Sequence, residues 1–195
     1  MKFTLINSRK PGKIGKLNFY SLTNGDKLVL FSNKHDPSEV IDFINEFSGH
    51  LNASKNIRAI SDAKLIEKME ERGLFLRTIS KNVLPKTNSL SDEARRLFEL
   101  KEKLGEHNHL KAETPVAVHL DSKGEGYLVT DFISGKFRRF PRVGRQETNK
   151  LLEDFVGKKV YSKLVEANLV LRDVQVIENP LGTYFIDAEK WEKKK

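Results

Sequence analysis

Cysteine is absent from the 195 residues of this chain. Its absence excludes disulfide bonds, zinc sites with thiolate ligands and catalysis by a thiol. A chain without disulfides fits the reducing cytoplasm, and we expect a cytoplasmic protein. Because secreted bacterial proteins can also lack cysteine, a secreted effector without a cleaved signal stays open as an alternative.

Long apolar runs are also missing. No run approaches the roughly 20 apolar residues that a membrane-spanning helix needs. Residues 1–7 contain no long apolar region followed by small residues, so they do not predict a signal peptide. The five histidines are scattered, and no pattern of acidic neighbours around them indicates a metal site. We therefore expect neither a membrane span nor a histidine-based metal centre.

Basic residues outnumber acidic residues by 35 to 27, which gives a formal net charge of +8. Such an excess favours anionic partners, such as nucleic acid, phosphorylated ligands, a membrane surface or an acidic protein. The charge is spread along the chain, with one local concentration at 136–145 and three lysines at 193–195. A dispersed excess of lysine also serves solubility alone.

Hydrophobic patterning predicts an α+β protein of short strands and amphipathic helices. A tight hairpin is predicted at the Asn-Gly turn of residues 23–26, because these residues tolerate positive φ. Helices are predicted from about Asp36 and at 61–72, 91–104 and about 147–168. We divide the chain into a β-rich extension with two helices at 1–73, a second region at 74–135 and a third at 136–195.

Two aspartates near the carboxyl terminus stand at the outer ends of short apolar runs. Asp173 precedes the first run, Asp187 follows the second, and Asn179-Pro-Leu-Gly182 joins the two runs as a turn. We expect a hairpin with one carboxylate at its entry and one at its exit. Carboxylates so placed fit Mg²⁺ and a phosphate. They also fit a solvent-exposed hairpin with Arg172 and Lys190 as surface partners.

From Leu74 onward the predicted order is strand, helix, two strands, linker, helix, carboxylate loop and hairpin. This order, together with the run from Thr114 to Gly135, resembles the protein-kinase-like superfamily, nearest to the small bacterial and atypical kinases of the lipopolysaccharide-core and RIO types. In that family a tyrosine-leucine-valine strand leads into an acidic-aromatic-Ile-x-Gly hinge between two lobes, and Asp131-Phe-Ile-Ser-Gly135 is similar to it. The resemblance implies a two-lobed α+β fold with an antiparallel amino-terminal sheet and a reduced, helical carboxyl-terminal lobe.

The resemblance assigns roles to the carboxylates in two ways. In both, Asp187 matches the aspartate that binds magnesium. In the first alignment Asp173 accepts the proton of the attacking hydroxyl and Asn179 is the second metal ligand, although the family's spacing is one residue shorter. In the second alignment Asn168 occupies the catalytic position and Asp173 is the second metal ligand at the family's own spacing. The proton acceptor is then missing, which implies a weak kinase or a pseudokinase.

The nucleotide-binding residues implied by the resemblance depart from the family. The phosphate-pairing lysine is absent from the strand before the long helix, where Arg77 is the nearest basic residue. Arginine keeps the charge but differs in reach and geometry. Glu93 would pair with it as the family's helix glutamate pairs with lysine, and Asp131 of the hinge would lie at the nucleotide. The alternative for Arg77–Glu93 is an ordinary surface ion pair. The glycine pair at 11–16 would form the glycine loop over the phosphates, and its alternative is a plain turn.

The resemblance implies a phosphotransferase that uses ATP and Mg²⁺ to phosphorylate a hydroxyl of a protein or small molecule, or a degenerate pseudokinase of that fold. The alternative is a non-catalytic basic module that binds nucleic acid or an acidic protein, and fold resemblance alone does not choose between them. Phe137-Arg-Arg-Phe140 bears on this choice, because single-strand nucleic-acid platforms interleave aromatic and basic residues in this way. The same pattern fits aromatic residues packed on the core, which is the interpretation we favour.

Overall fold

The structure is a computed structural model that describes residues 3–9, 17–31, 34–50, 62–79, 88–105, 109–120, 126–141, 143–167, 169 and 174–186. The strands in these ranges are β1 (Phe3–Arg9), β2 (Leu17–Leu22), β3 (Lys27–Leu30), β4 (Leu74–Ile79), β5 (Leu110–Ala112), β6 (Pro115–Leu120), β7 (Gly126–Asp131), β8 (Lys136–Arg139), β9 (Gln175–Asn179) and β10 (Gly182–Phe185). The helices are α1 (Pro37–Ser48), α2 (Ala63–Arg72), α3 (Asn88–Leu104), α4 (Arg145–Val156) and α5 (Lys158–Glu166). Within the described ranges, no helix combines the length and the apolar composition needed to cross a membrane.

The strands form two sheets. One has six strands in the order β1-β2-β3-β6-β7-β4, and all of its neighbouring strands are antiparallel. The other has four strands in the order β5-β10-β9-β8, with β5 parallel to β10 and the remaining pairs antiparallel. The predicted α+β class with an antiparallel sheet is therefore confirmed.

The chain divides into two compact units. The first unit comprises Met1–Ala94 and Pro115–Phe132, and the second comprises Arg95–Thr114 and Ile133–Lys195. The six-stranded sheet lies in the first unit and the four-stranded sheet in the second. The amino-terminal strands are not a separate extension, because β3 pairs with β6 and so joins β1 and β2 to the same sheet as β4 and β7.

The predicted Asn-Gly hairpin joins β2 to β3. Gly25 has a φ of +88°, which glycine adopts without the steric cost of a Cβ. The backbone N–H of Leu22 donates to the carbonyl of Asp26 at 2.9 Å, and the N–H of Gly25 donates to the carbonyl of Leu22 at 3.0 Å. These bonds close the hairpin of β2 and β3, and β3 pairs on its other side with β6.

Helix α1 begins at the cap that the sequence predicts. The carboxylate of Asp36 accepts a hydrogen bond from the backbone N–H of Ser38 at 2.8 Å, and Pro37 occupies the start of the helix. The hydroxyl of Ser38 also donates to this carboxylate. The hydroxyl bond first, and then the backbone bond, lower the pKa of Asp36 below its ordinary value of 3.8.

The core of the first unit forms between its sheet and its helices. Helix α1 contributes a buried apolar stripe of Val40, Ile41, Phe43, Ile44 and Phe47. Helix α2 contributes Met69, and it ends at Gly73, whose φ of +65° reverses the chain directly into β4. The strands contribute Leu28, Leu30, Leu74, Leu76, Val116, Ala117 and Val129 to the same cluster.

The second unit differs from the sequence prediction in three elements. The region after Ser134, predicted as the linker between two strands and a helix, forms strand β8 because it pairs with β9. The single helix predicted at about 147–168 is two helices, α4 and α5, because Gly157 has a φ of +83° between them. Strand β5 was not predicted from the sequence. The region expected to be mainly helical, 136–195, therefore supplies three strands of a four-stranded sheet.

Candidate functional site

The hairpin of β9 and β10 has the turn that the sequence predicts. Asn179 pairs with Gly182 across the turn, and Gly182 has a φ of +138°. A Cβ at this glycine would lie 2.7 Å from the carbonyl oxygen of His109, so a larger residue would collide with the backbone there. At the other end of the hairpin, the N–H of Ile186 donates to the carbonyl of Gln175 at 3.1 Å.

The predicted catalytic and metal-binding aspartates adjoin this second end in sequence. Asp173 precedes Gln175 by two positions, and Asp187 follows Ile186 directly. Both aspartates, and Asn168, lie outside the residues that the structure describes. Their roles therefore stay predictions. The structure describes the two strand ends next to these aspartates. They are the start of β9 and the end of β10, which the hydrogen bond from Ile186 to Gln175 joins.

Asn179 lies at the turn end of the hairpin. Its Nδ2 donates to the carbonyl of Ser134 at 2.8 Å, and its Oδ1 accepts from the N–H of Leu181 at 2.9 Å. About 13 Å of strand, at roughly 3.3 Å per residue, separates it from Gln175. Because Mg²⁺ holds its ligands at only about 2.1 Å, this position argues against Asn179 as a ligand of an ion that Asp187 also binds.

The segment 131–135, predicted as a hinge, leaves β7 and enters β8. The N–H of Phe132 donates to the carbonyl of Gly73 at 2.9 Å, which fastens the start of the segment to the first unit. Asp131 is half-buried, and its carboxylate lies 4.0 Å from Nε2 of His35. This carboxylate, predicted to lie at a nucleotide, thus has a histidine of its own unit as a neighbour.

The rest of the same segment is held by the second unit. The boundary between the units falls between Phe132 and Ile133. Gly135 has a φ of +149°, and a Cβ there would lie 2.5 Å from the carbonyl oxygen of Glu178 and 2.8 Å from Cγ2 of Ile177. Close approach of the backbone to β9 therefore requires glycine. The chain passes from one unit to the other within the segment predicted as a hinge.

Arg77 lies on β4 and is 9% exposed. Its register partner is Leu128 of β7, the strand that ends at Asp131. Glu93 lies in α3, but its side chain is not among those that the structure describes, so the predicted ion pair stays a prediction.

The glycine pair at 11–16 also lies outside the described residues. Over the described part of the chain, no group of three or more metal-binding side chains occurs.

Strand β8 is one of the two edge strands of its sheet, and all four of its residues are exposed. Its side chains alternate between the two faces of the sheet. The guanidinium of Arg138 lies 4.5 Å from the centroid of the Phe140 ring and 3.7 Å from the carboxylate of Glu178. The cross-strand row through Arg138 continues with three buried residues, Val176, Phe185 and Ala112. This face of the sheet therefore packs on the core of the second unit.

The opposite face carries a different row, Phe137–Ile177–Tyr184–Lys111, which crosses all four strands. Phe137 is 48% exposed, and the other three residues are half-buried. The Nζ atom of Lys111 lies 3.3 Å from the hydroxyl oxygen of Tyr184 and 5.2 Å from its ring centroid. Arg139 follows Phe137 by two positions and so lies on the same face. We call these five residues the outer face.

The sequence predicts the aromatic and basic residues of 137–140 but not which of them lie on the outer face. Core packing, the favoured interpretation, holds for Phe140, which is 9% exposed and whose ring centroid lies 4.8 Å from that of Phe155. It does not hold for Phe137, which points away from that core. The alternation in 137–140 was the available signal, but only the register with β9 assigns each aromatic residue to a face.

No protein-family model, no curated protein and no solved structure matches this chain. The kinase-like resemblance therefore stays a prediction from the residues.

Proposed function

We propose that this chain binds ATP and Mg²⁺ in a degenerate protein-kinase-like fold. Asp173 and Asp187 would hold the metal ion, and Asn168 would stand where the family has its proton-accepting aspartate. An amide does not accept a proton at neutral pH, so transfer of the γ-phosphoryl group to a hydroxyl would be slow or absent. The chain would then be a pseudokinase or a weak kinase.

The position of the Asn179 side chain carries this proposal. The first of the two alignments needs Asn179 and Asp187 as ligands of one ion. Asn179 is bound into the turn, whereas Asp187 follows Ile186, which is hydrogen-bonded at the other end of the hairpin. The second alignment needs no ligand from Asn179. It uses Asp173 and Asp187, which the sequence attaches to two adjacent strand ends.

The ligand set of the second alignment suits magnesium. Mg²⁺ prefers oxygen ligands and is commonly bound by one or two carboxylates together with substrate phosphates and water. When bound, the ion would neutralise charge on the phosphate oxygens. The hydrogen bond between Ile186 and Gln175 supports this assignment, because it joins the strands that continue to the two aspartates.

Arg77 supports the nucleotide part of the proposal. It is nearly buried on β4, beside the strand that leads into segment 131–135. A guanidinium stays charged at neutral pH and is stable at this depth only among anionic or hydrogen-bonding groups. Arginine also binds phosphate through two parallel hydrogen bonds. It can therefore replace the family's lysine in pairing with phosphate, with a different reach.

Thermal unfolding in the presence of ATP and Mg²⁺ tests the proposal. A ligand that binds the native state raises the unfolding midpoint by mass action. We expect this rise for the wild type, and its loss in Asp173→Ala and in Asp187→Ala. Asn179→Ala should keep the rise. Its own midpoint should fall, because the turn loses two hydrogen bonds, each worth about 0.5–1.5 kcal/mol.

Asp154→Ala is the matched control, because it removes one exposed carboxylate from the same unit. It should behave as the wild type does. Absence of any rise in the wild type at millimolar nucleotide would overturn the proposal. If Asn179→Ala instead abolishes the rise, the first alignment is correct, and Asp173 becomes the expected proton acceptor of an active kinase.

A further inference from the structure

We propose that the outer face of the four-stranded sheet binds single-stranded nucleic acid. This function goes beyond ATP binding at the two aspartates, and it rests on different residues. All five residues of the outer face belong to the second unit: Lys111, Phe137, Arg139, Ile177 and Tyr184.

The two faces of this sheet have different partners within the chain. The row of Arg138, Val176, Phe185 and Ala112 faces the core, where Phe185 contacts Phe155 with ring centroids 6.1 Å apart. The outer row presents one exposed ring, Phe137, and one half-buried ring, Tyr184. Neighbouring strands lie about 4.8 Å apart, so one intervening strand places the backbones of these two residues about 10 Å apart. Aromatic side chains on one sheet face form a stacking platform for bases, and here Phe137 offers the exposed ring with Tyr184 as a half-buried second ring.

The charges of the sheet are also divided between its faces. Glu178 lies on the core-facing side, where its carboxylate is 3.7 Å from Arg138. The residues of the four strands that alternate onto the outer side include two cations, Lys111 and Arg139, and the acid that follows Lys111 by two positions, Glu113, is only 2% exposed. The outer face is therefore electropositive, which is complementary to a polyanion.

The aromatic rings and the cations of the outer face together indicate which class of ligand binds there. Lys111 is held beside the Tyr184 ring by its contact with the hydroxyl, and Arg139 lies on the same side of β8 as Phe137. Each nucleotide supplies a planar base for a ring and a phosphate for a cation. An acidic peptide supplies the charge but no planar base. A single strand is favoured over a duplex, because the bases of a duplex are stacked on each other and unavailable to the rings.

Fluorescence anisotropy with the full chain and a labelled oligothymidine of about 12 nucleotides tests this proposal. We expect binding that weakens as salt rises from about 50 mM to about 200 mM. Phe137→Ala should weaken binding at least about fivefold, the lower limit for loss of one stacked base. Phe137→Tyr keeps the ring and should stay close to the wild type.

Arg139→Ala and Lys136→Ala form a matched pair, because both remove one exposed charge from β8 but on opposite faces. Arg139→Ala should weaken binding more than Lys136→Ala. Circular dichroism of each variant checks that the fold is retained, which is expected because Phe137, Arg139 and Lys136 are all exposed.

Three outcomes would overturn the proposal. In the first, Phe137→Ala binds as tightly as the wild type, and Arg139→Ala and Lys136→Ala lose equal affinity. Binding would then be the unspecific attraction of any basic protein to a polyanion. Displacement of the oligonucleotide by polyglutamate, with no dependence on Phe137, would assign the face to acidic proteins. Displacement by millimolar ATP, with loss of the ATP-induced thermal shift in Phe137→Ala, would assign it to the nucleotide site. If the ATP shift is absent but Phe137-dependent binding is present, only the phosphotransferase proposal fails.

Discussion

Polar side chains are buried together where the β2–β3 turn meets β6. Asp26 and His119 have side chains 10% and 6% exposed, and Oδ2 of the aspartate lies 3.0 Å from Nε2 of the histidine. Nδ2 of Asn24 donates to the same carboxylate oxygen at 2.9 Å, and its Oδ1 accepts from the N–H of Asp26 at 3.1 Å. Buried polar atoms cost free energy when a partner is removed. The group therefore couples the turn to the strand beyond it.

Asp26→Ala should lower the free energy of unfolding by about 2–4 kcal/mol, because it removes one partner of a buried ionisable pair. Urea denaturation followed by circular dichroism measures the change. Asp42→Ala, which removes an exposed carboxylate from α1 in the same unit, should change it by less than about 0.5 kcal/mol. Equal effects of the two substitutions would mean that the Asp26–His119 contact contributes nothing specific.

At the scale of elements, two glycines shape the second unit. Gly157 separates α4 from α5 with φ +83° and ψ 151°, a region that side chains with a Cβ avoid. Gly135 has φ +149° and also lies directly against the backbone of β9. The first glycine breaks a helix by its conformation alone. The second allows the chain to enter β8 at contact distance from its neighbour.

Gly157→Ala should lower the free energy of unfolding by about 1–3 kcal/mol, because alanine is strained in this conformation. Gly135→Ala should cost more, since its Cβ would also lie 2.5 Å from a carbonyl oxygen. Gly49→Ala is the control: its φ is −65° and no atom lies within 4 Å of the added Cβ, so it should be neutral or slightly stabilising. Stabilisation by Gly157→Ala would indicate one continuous helix instead of two.

At the scale of the whole molecule, each unit is built from separate parts of the chain. The chain passes between the units after Ala94, after Thr114 and after Phe132. The segment between the first two passages, Arg95–Thr114, brings β5 into the four-stranded sheet, where the N–H of Glu113 donates to the carbonyl of Phe185 at 2.8 Å. Strand β5 also adds two buried side chains, Leu110 and Ala112. The second unit therefore depends on residues that precede the last two strands of the first unit.

A fragment of residues 133–195 should not fold alone, because it lacks β5 and α3, and its sheet then loses both an edge strand and buried apolar surface. Joining residues 88–114 to it through a flexible linker should restore a cooperative thermal transition. Circular dichroism and the dispersion of amide proton resonances measure both outcomes. Cooperative unfolding of 133–195 by itself would contradict this assignment of the units.

The sequence alone was sufficient where structure depends on neighbours along the chain. The Asn24-Gly25 turn, the start of α1 at Asp36, the end of α2 at residue 72 and the β9–β10 turn all have the positions predicted from local residue types. Each is stabilised by hydrogen bonds or backbone conformations within a few residues, so the signal lies in a short window. The sequence also predicts Asp173 and Asp187 as ligands of Mg²⁺, and these roles stay predictions.

Tertiary structure decided what depends on residues far apart. Lys136 pairs with Glu178 and Leu110 pairs with Thr183, so β8 and β5 exist only because β9 and β10 are brought beside them. Such pairing also sets which side chain faces the core, because a shift of one residue moves every side chain to the other face. A local pattern does not contain this information. It therefore could not separate Phe137 from Phe140, or predict that residues 110–112 form β5.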